Sequence, residues 1–204
     1  MGPEPPPRHA PATLRNREPI LAVLQRVLPA DGLLLEIASG TGEHAAFMAR
    51  RLAPGLIWQP SDSRADALAD IDAHGRDNGT RQRPAIALDV CAPVWPIETA
   101  AAVFCANMIH IAPWAAAEGL FAGAARILAA GAPLVLYGPF KRGGKHIAPS
   151  NERFDVSLRA QDGRWGVRCL DDEVTPLAKR SGFAREEIVA MPANNLAVTF
   201  RRQV

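Results

Sequence analysis

Apolar residues along this chain of 204 residues fall into two alternating rhythms. From Asn16 onward, Leu21, Leu24 and Leu28 recur at helical spacing, with Asn16 read as the N-cap and Pro19 tolerated in the first turn. After the turn Asp31-Gly32 comes "LLLEI", a short unbroken apolar run of the kind buried on both faces of a parallel sheet. Ala45, Met48, Ala49 and Leu52 then predict a helix, stopped by Pro54-Gly55. The alternation continues. "LIWQPSD" predicts a second strand and residues 65–74 a second helix. "AIALDV" and "AAVFCAN" are further strands. A helix carrying Leu120, Phe121, Ala124, Ile127 and Leu128 precedes a fifth strand, "PLVLYG". Residues 171–181 predict a last helix, closed at Gly182. "REEIVAM" and "LAVTFR", joined by the turn "PANN", close the chain as a hairpin.

Strand and helix alternating in this way, ending in a hairpin, predict an α/β fold. The sheet is expected to be doubly wound, seven-stranded and mostly parallel, with one antiparallel strand near an edge. No internal repeat is visible. The length suits one domain, here residues 13–204, behind a Pro-rich lead-in over residues 1–12 that is expected to be disordered.

Composition narrows the function classes. Net charge is +2 and evenly spread, which gives no footprint for nucleic acid. No apolar run approaches the ~18 residues of a spanning helix, and the N-terminus has no hydrophobic signal core. Cys91, Cys105 and Cys169 are odd in number and widely spaced. They read as reduced thiols of a cytoplasmic protein, with neither a disulfide framework nor a metal site.

The candidate chemistry begins at "LLLEIASGTGEHA", where Gly40, Gly42 and Ala45 spell G-x-G-x-x-A. Such a turn after the first strand lies in the ligand crevice of an open α/β sheet. It suits either a nicotinamide or flavin dinucleotide or S-adenosylmethionine. Glu36, in E-x-A-x-G-x-G with Ala38, favours the second. A carboxylate suits a ligand bearing sulfonium and ammonium groups and opposes a pyrophosphate, which needs positive potential. Asp62, beside Ser63 at the end of strand two, is placed to accept from ribose hydroxyls, a feature shared with NAD sites. Asp89, beside Val90 at the end of strand three, is placed to accept from the adenine amine. Singly, Asp62 also reads as a helix cap and Asp89 as a turn residue. The trio with the glycines is the more specific signal.

These residues resemble the class I S-adenosylmethionine-dependent methyltransferases. "RNREPIL", "LEIASGTGEH", "WQPSD", "NMIHIAPW", "LYGPFKRGGKH", "APSNERFD" and "MPANNL", spanning residues 15–196, are similar to the domain-of-unknown-function 938 group among them. The resemblance implies the fold and S-adenosylmethionine as cofactor, and names no substrate.

In such proteins the segment 107–114, "NMIHIAPW", borders cofactor and methyl acceptor. Asn107 and Met108 are expected to line the cofactor, Met108 as a pliable surface for adenine. His110 reads as a general base, or equally as a structural ring bonded to the loop. Trp114 is a candidate acceptor contact, with packing as its other reading. No D/N-P-P-Y and no Pro-Cys follows strand four, so the usual residues for base modification are missing. Tyr137 ends strand five in the crevice and is the second catalytic candidate. Asn151 and Asn194-Asn195 offer neutral hydrogen-bond groups. Lys141, Arg142, Lys145 and His146 surround two glycines and read as an electrostatic lid over an anionic small-molecule acceptor, or as a solvated loop. The expected activity is methyl transfer to a small acceptor. A non-catalytic S-adenosylmethionine-binding protein and a nicotinamide oxidoreductase are the alternatives.

Overall fold

The computed structural model describes residues 11–77 and 81–203. Helix α1 spans Pro11–Val27, strand β1 Asp31–Ile37, α2 Glu43–Met48, β2 Gly55–Asp62 and α3 Ala65–Asp77. Strand β3 is only Ile86–Ala87, followed by β4, Ala102–Ala106, a 3-10 turn at Met108–His110, α4, Trp114–Ile127, and β5, Pro133–Gly138. A miniature hairpin, β6 Lys141–Arg142 and β7 Lys145–His146, leads into α5, Pro149–Gln161. A π-turn at Leu170–Val174 runs into α6, Thr175–Arg180, and the chain closes with β8, Phe183–Met191, and β9, Asn195–Arg202.

The seven-stranded sheet has the order β3-β2-β1-β4-β5-β9-β8. All pairings among β1 to β5 are parallel, and β9 runs antiparallel to both β5 and β8. The doubly wound sheet with its antiparallel strand near one edge is the fold expected from the sequence. Strand order reverses around β1, so the loops after β1 and β4 diverge and leave a crevice between them.

Side-chain alternation splits the sheet's two faces into two cores. Leu35, Ile37, Val103, Cys105, Leu134 and Leu136 pack with α4 and α6. Their neighbours Leu34, Ala102, Phe104, Val135 and Tyr137 pack with α1 and α2. Each central strand is therefore buried on both sides, which is why it reads as a continuous apolar run. Helix α4 presents Ala117, Leu120, Phe121, Ala124 and Ile127 to its core, and Gly123 lies flush on the ring of Trp95.

Three elements differ from the sequence reading. Helix α1 opens at Pro11, so Asn16 sits inside it and is not its N-cap, and residues 11 and 12 belong to the helix. Residues 1–10 of the expected lead-in lie outside the described residues. Pro19 is also inside the helix and has no N–H to give the carbonyl of Arg15. The stretch 137–155, read as one long loop, contains the β6–β7 hairpin and the first turns of α5. The predicted helix 171–181 is a π-turn running into a short α-helix.

Candidate functional site

The loop after β1 is built around the carboxylate of Glu36. That side chain is buried, and its Oε2 accepts the Ser39 hydroxyl at 2.8 Å and the Trp58 indole N–H at 2.9 Å. Its carbonyl accepts the Ser61 hydroxyl at 2.6 Å. Burial pushes the Glu36 carboxyl up to about 7, against the two donors that favour its anion, and the Asp62 carboxylate adds to the push.

Asp62 locks the loop from the side. Its Oδ2 accepts the backbone N–H of Gly40 at 3.0 Å and its Oδ1 that of Arg64 at 3.0 Å. Gly40 has φ +61°, and nothing lies within 4 Å of the place a Cβ would occupy. The loop's backbone is thus bare and open there. Gly42 has a different task. A Cβ on it would meet the Cα of Ile71 at 2.6 Å, so its bareness lets α3 pack on the start of α2. Ala38 holds φ 57° without being glycine, a left-handed conformation that costs energy.

Asp89 lies two residues beyond β3, exposed, and its Oδ1 accepts the Cys91 N–H at 2.9 Å in a short side-chain turn. Val90 and Met108 are buried in the core beneath it, and Ser63 is exposed beside Asp62. Glu36, Asp62 and Asp89 therefore stand at or just past the carboxyl ends of the adjacent strands β1, β2 and β3. The acids and the open Gly40 fit a ligand with cationic and hydroxyl groups. Among the described residues there is no cluster of His, Cys, Asp and Glu suited to a metal ion.

A cavity of about 640 Å³ opens past the carboxyl ends of β4 and β5. Arg15 and Asn16 of α1, Asn107 after β4 and Tyr137 of β5 form part of its wall. Asn151 and Phe154 of α5 and the turn carrying Asn194 and Asn195 complete the enclosure. Sequence reading singled out Tyr137, Asn151 and Asn194 from three distant segments, and the fold brings them together here. Asn107, expected beside the cofactor, also lines this wall. Asn107 takes φ 63°, its N–H donating to the Tyr137 carbonyl at 2.8 Å.

Asn16 links this cavity to the helix that follows the glycine loop. The His44 ring, in the helix that follows the glycine loop, donates from Nε2 to Asn16 Oδ1 at 2.8 Å. Burial drives the His44 pKa down to about 4, so the ring is neutral. Burial also raises the Tyr137 pKa, while hydrogen bonds from the amides of Asn16 and Asn195 pull against it. Neither Arg15 nor Asn16 was recognised as a site residue in the sequence. A polar residue on the apolar face of α1 was the available signal, since a buried amide must find partners.

The remaining candidates lie elsewhere. His110 is fully buried and has a pKa near 3, driven down first by burial and then by the Arg168 charge. Its Nδ1 accepts the Arg168 backbone N–H at 3.2 Å, and its ring stands edge-on to Phe140 at 4.8 Å. A ring so placed is structural, and the reading of His110 as a general base is corrected accordingly. Trp114 is half-buried with the Arg168 guanidinium 5.6 Å from its ring, off the cavity wall. Arg168 staples the loop after β4 by donating to the carbonyls of Ile109 at 3.0 Å and Ala112 at 2.8 Å.

Lys141 and Arg142 do not hang over the cavity as free cations. Lys141 Nζ meets Asp155 at 2.8 Å, and Arg142 Nε meets Asp171 at 2.8 Å. The buried Asp155 also takes His146 at 3.2 Å, Arg159 at 3.2 Å and the Val167 N–H at 2.7 Å. The basic hairpin is thereby pinned to α5 and to the π-turn. All three cysteines are free thiols, and burial raises that of Cys105 to about 12.

The comparisons with known proteins agree with this fold. The family described as "Protein of unknown function (DUF938)" matches residues 7–202. Among solved structures, the chain is similar to CalO1, a methyltransferase of calicheamicin biosynthesis in its SAH-bound form. The TM-score is 0.71 and the identity 19%, over 91% of this chain and 54% of that one. It is similar to an O-methyltransferase family 2 protein from Planctomyces limnophilus DSM 3776 in complex with apigenin. Here the TM-score is 0.73 and the identity 16%, over 91% and 61%. It is also similar to a protein assigned as a methyltransferase from Bacillus halodurans C-125, with TM-score 0.68 and 18% identity over 90% and 99%. The chain thus spans little more than half the length of the first two and nearly all of the third. At these identities the likeness is one of fold.

Proposed function

The chain belongs to the DUF938 family, and from that premise we propose that it is an S-adenosylmethionine-dependent methyltransferase acting on a small acceptor. The observation that carries the reading is the loop after β1. Its Gly40 backbone is bare, is clamped by Asp62 and sits above the buried carboxylate of Glu36. A pyrophosphate there would face three acids, of which, among the described residues, only Asp62 has a cation beside it, the exposed Arg64 at 3.6 Å. A ligand carrying a sulfonium, an ammonium and ribose hydroxyls finds acceptors instead.

In this reading Glu36, Ala38, Gly40 and Gly42 form the cofactor cradle. Asp62 and Ser63 face the ribose, and Asp89, Val90 and Met108 face the adenine. When bound, the cofactor supplies an electrophilic methyl group. The chain's own part is to hold an acceptor beside it, and in-line positioning alone lowers such a barrier substantially. Asn107, Tyr137, Asn151 and Asn194 present donors and acceptors from four directions on the neighbouring cavity. The complex of a fold relative with apigenin supports a small molecule as acceptor.

Thermal denaturation with S-adenosylhomocysteine tests the reading. A ligand at a hundredfold excess over Kd stabilises the folded state by about 2.7 kcal/mol. At about 2 to 4 °C per kcal/mol, Tm should rise by roughly 5 to 10 °C. NAD should give no shift. A shift with NAD alone would transfer the loop to dinucleotide binding, and a shift with neither would remove the cofactor assignment.

A further inference from the structure

We propose that the 640 Å³ cavity takes an acceptor carrying one negative charge on a flat apolar body, and that Arg15 reads the charge. This deepens the methyltransferase reading and rests on it for the word acceptor. The inference comes from a census of the cavity wall. Among the described residues, Arg15 is the single ionic side chain lining it, and none of them lines it with a carboxylate. The exposed guanidinium has no ion pair among the described residues, unlike Lys141 and Arg142 on the hairpin. Arg15 and the Tyr137 hydroxyl line the same cavity.

That wall selects by charge. An ammonium or guanidinium acceptor would meet the like charge of Arg15 with no carboxylate among the described lining residues to answer it. A polyanion would have one cation to answer several charges. A carboxylate matches the planar fork of a guanidinium in two parallel hydrogen bonds. The rest of the wall is neutral and two-natured. Phe154 and Ile111 line it while 39% and 42% exposed, large apolar faces that a bound ring would cover. Asn107 holds a left-handed backbone, and its side-chain amide has no partner among the described residues. Strain of this kind at a cavity wall, with an unspent donor and acceptor, marks a place for the acceptor's polar substituent. The volume lies within the range of small-molecule sites.

Benzoate, benzamide and benzylammonium are the probes, titrated by ligand-observed NMR into the full chain with and without S-adenosylhomocysteine. Benzoate should bind at least tenfold more tightly than benzamide, and benzylammonium not measurably. Arg15→Gln should erase the preference for benzoate while leaving benzamide within about twofold. Lys145→Gln, on the exposed hairpin, should leave the preference intact. Salt near 1 M, with a screening length of about 3 Å, should narrow it. Phe154→Ala should weaken the ring probes regardless of charge. Equal binding of all three probes, binding of none, or a preference that survives Arg15→Gln overturns the proposal. The two readings separate cleanly. A melting shift with S-adenosylhomocysteine but no Arg15-dependent benzoate binding sinks this inference alone. The reverse result keeps it as an anion site and sinks the cofactor assignment.

Discussion

The carboxylate of Asp62 accepts the backbone N–H of Gly40 at 3.0 Å, across 22 residues of sequence. One side chain therefore sets the shape of the glycine loop before any ligand arrives, and its removal has two separable costs. Asp62→Ala orphans the N–H groups of Gly40 and Arg64, which should lower stability by about 1 to 3 kcal/mol. It should also weaken S-adenosylhomocysteine by roughly 10- to 150-fold through lost hydrogen bonds to the ribose. Asp62→Asn retains one acceptor oxygen and should fall between. Urea denaturation and calorimetry read the two effects independently. An unchanged stability in Asp62→Ala would deny the clamp.

Glu36 gives the protein a pH signature. Burial pushes its carboxyl up to about 7 in the folded protein from an ordinary 4.5, so between those values the folded state binds more protons than the unfolded. Stability from this group is therefore present in full below pH 4.5 and is lost as pH rises through 7. Glu36→Gln removes the titration. The variant should gain on wild type as pH rises from 5 to 8, by about 2.5 kcal/mol. Denaturation of the ligand-free protein at several pH values measures the difference. A difference that does not change with pH would show that Glu36 is not held protonated. A cationic ligand on the loop should lower the Glu36 pKa, so binding near pH 7 should release protons, seen as a buffer-dependent heat.

The places where sequence reading succeeded and failed share a cause. Leu34 and Leu35, or Phe104 and Cys105, face opposite cores, so their strands announce themselves as apolar runs. Helix α5 buries Asn151, Asp155 and Leu158, two of them polar, while leaving Phe154 and Val156 exposed. Its hydrophobic pattern is inverted, and the helix was hidden inside a presumed loop. The same inversion concealed the role of Asp155, whose ion partners come from residues 141 to 159 and are set only by the tertiary fold. The positions of Glu36 and Asp62 could be read because the carboxyl ends of β1 and β2 place their side chains by topology. Asn16 was misread as a cap because a mid-helix amide looks, in sequence, like a helix start. The β3 segment was legible as "AIALDV" although only two of its residues enter the ladder.

Asp155 should behave as a keystone for the acceptor side alone. Burial alone would raise its carboxyl pKa, yet Lys141, the Val167 N–H and Arg159 hold it below the ordinary range. Asp155→Ala leaves Lys141 half-buried without its partner, and breaking a buried pair in this way costs about 3 to 5 kcal/mol. Because α5 carries Asn151 and Phe154, acceptor-side binding should fall with it, while S-adenosylhomocysteine affinity stays within a few-fold. Lys141→Ala should likewise act through stability, with little salt dependence in acceptor binding. A strongly salt-dependent loss of acceptor binding with unchanged stability would return Lys141 to the role of a lid cation.

Ala38 offers a test of the loop's conformation that needs no ligand. At φ 57° a Cβ crowds the backbone, a cost of roughly 1 to 2 kcal/mol that glycine does not meet. Glycine gives back some of that gain in unfolded-state entropy, about 0.5 to 1 kcal/mol. Ala38→Gly should therefore be neutral or stabilising by up to about 1 kcal/mol. A β-branched side chain fits the left-handed region worst, so Ala38→Val should cost about 1 to 3 kcal/mol. The expected order of stability, glycine first and valine last, is the reverse of the order in an extended strand, where valine is favoured and glycine disfavoured. Melting temperatures of the three proteins decide between the two geometries. If valine proves the most stable, β1 continues straight through Ala38, and the turn that bares Gly40 is absent.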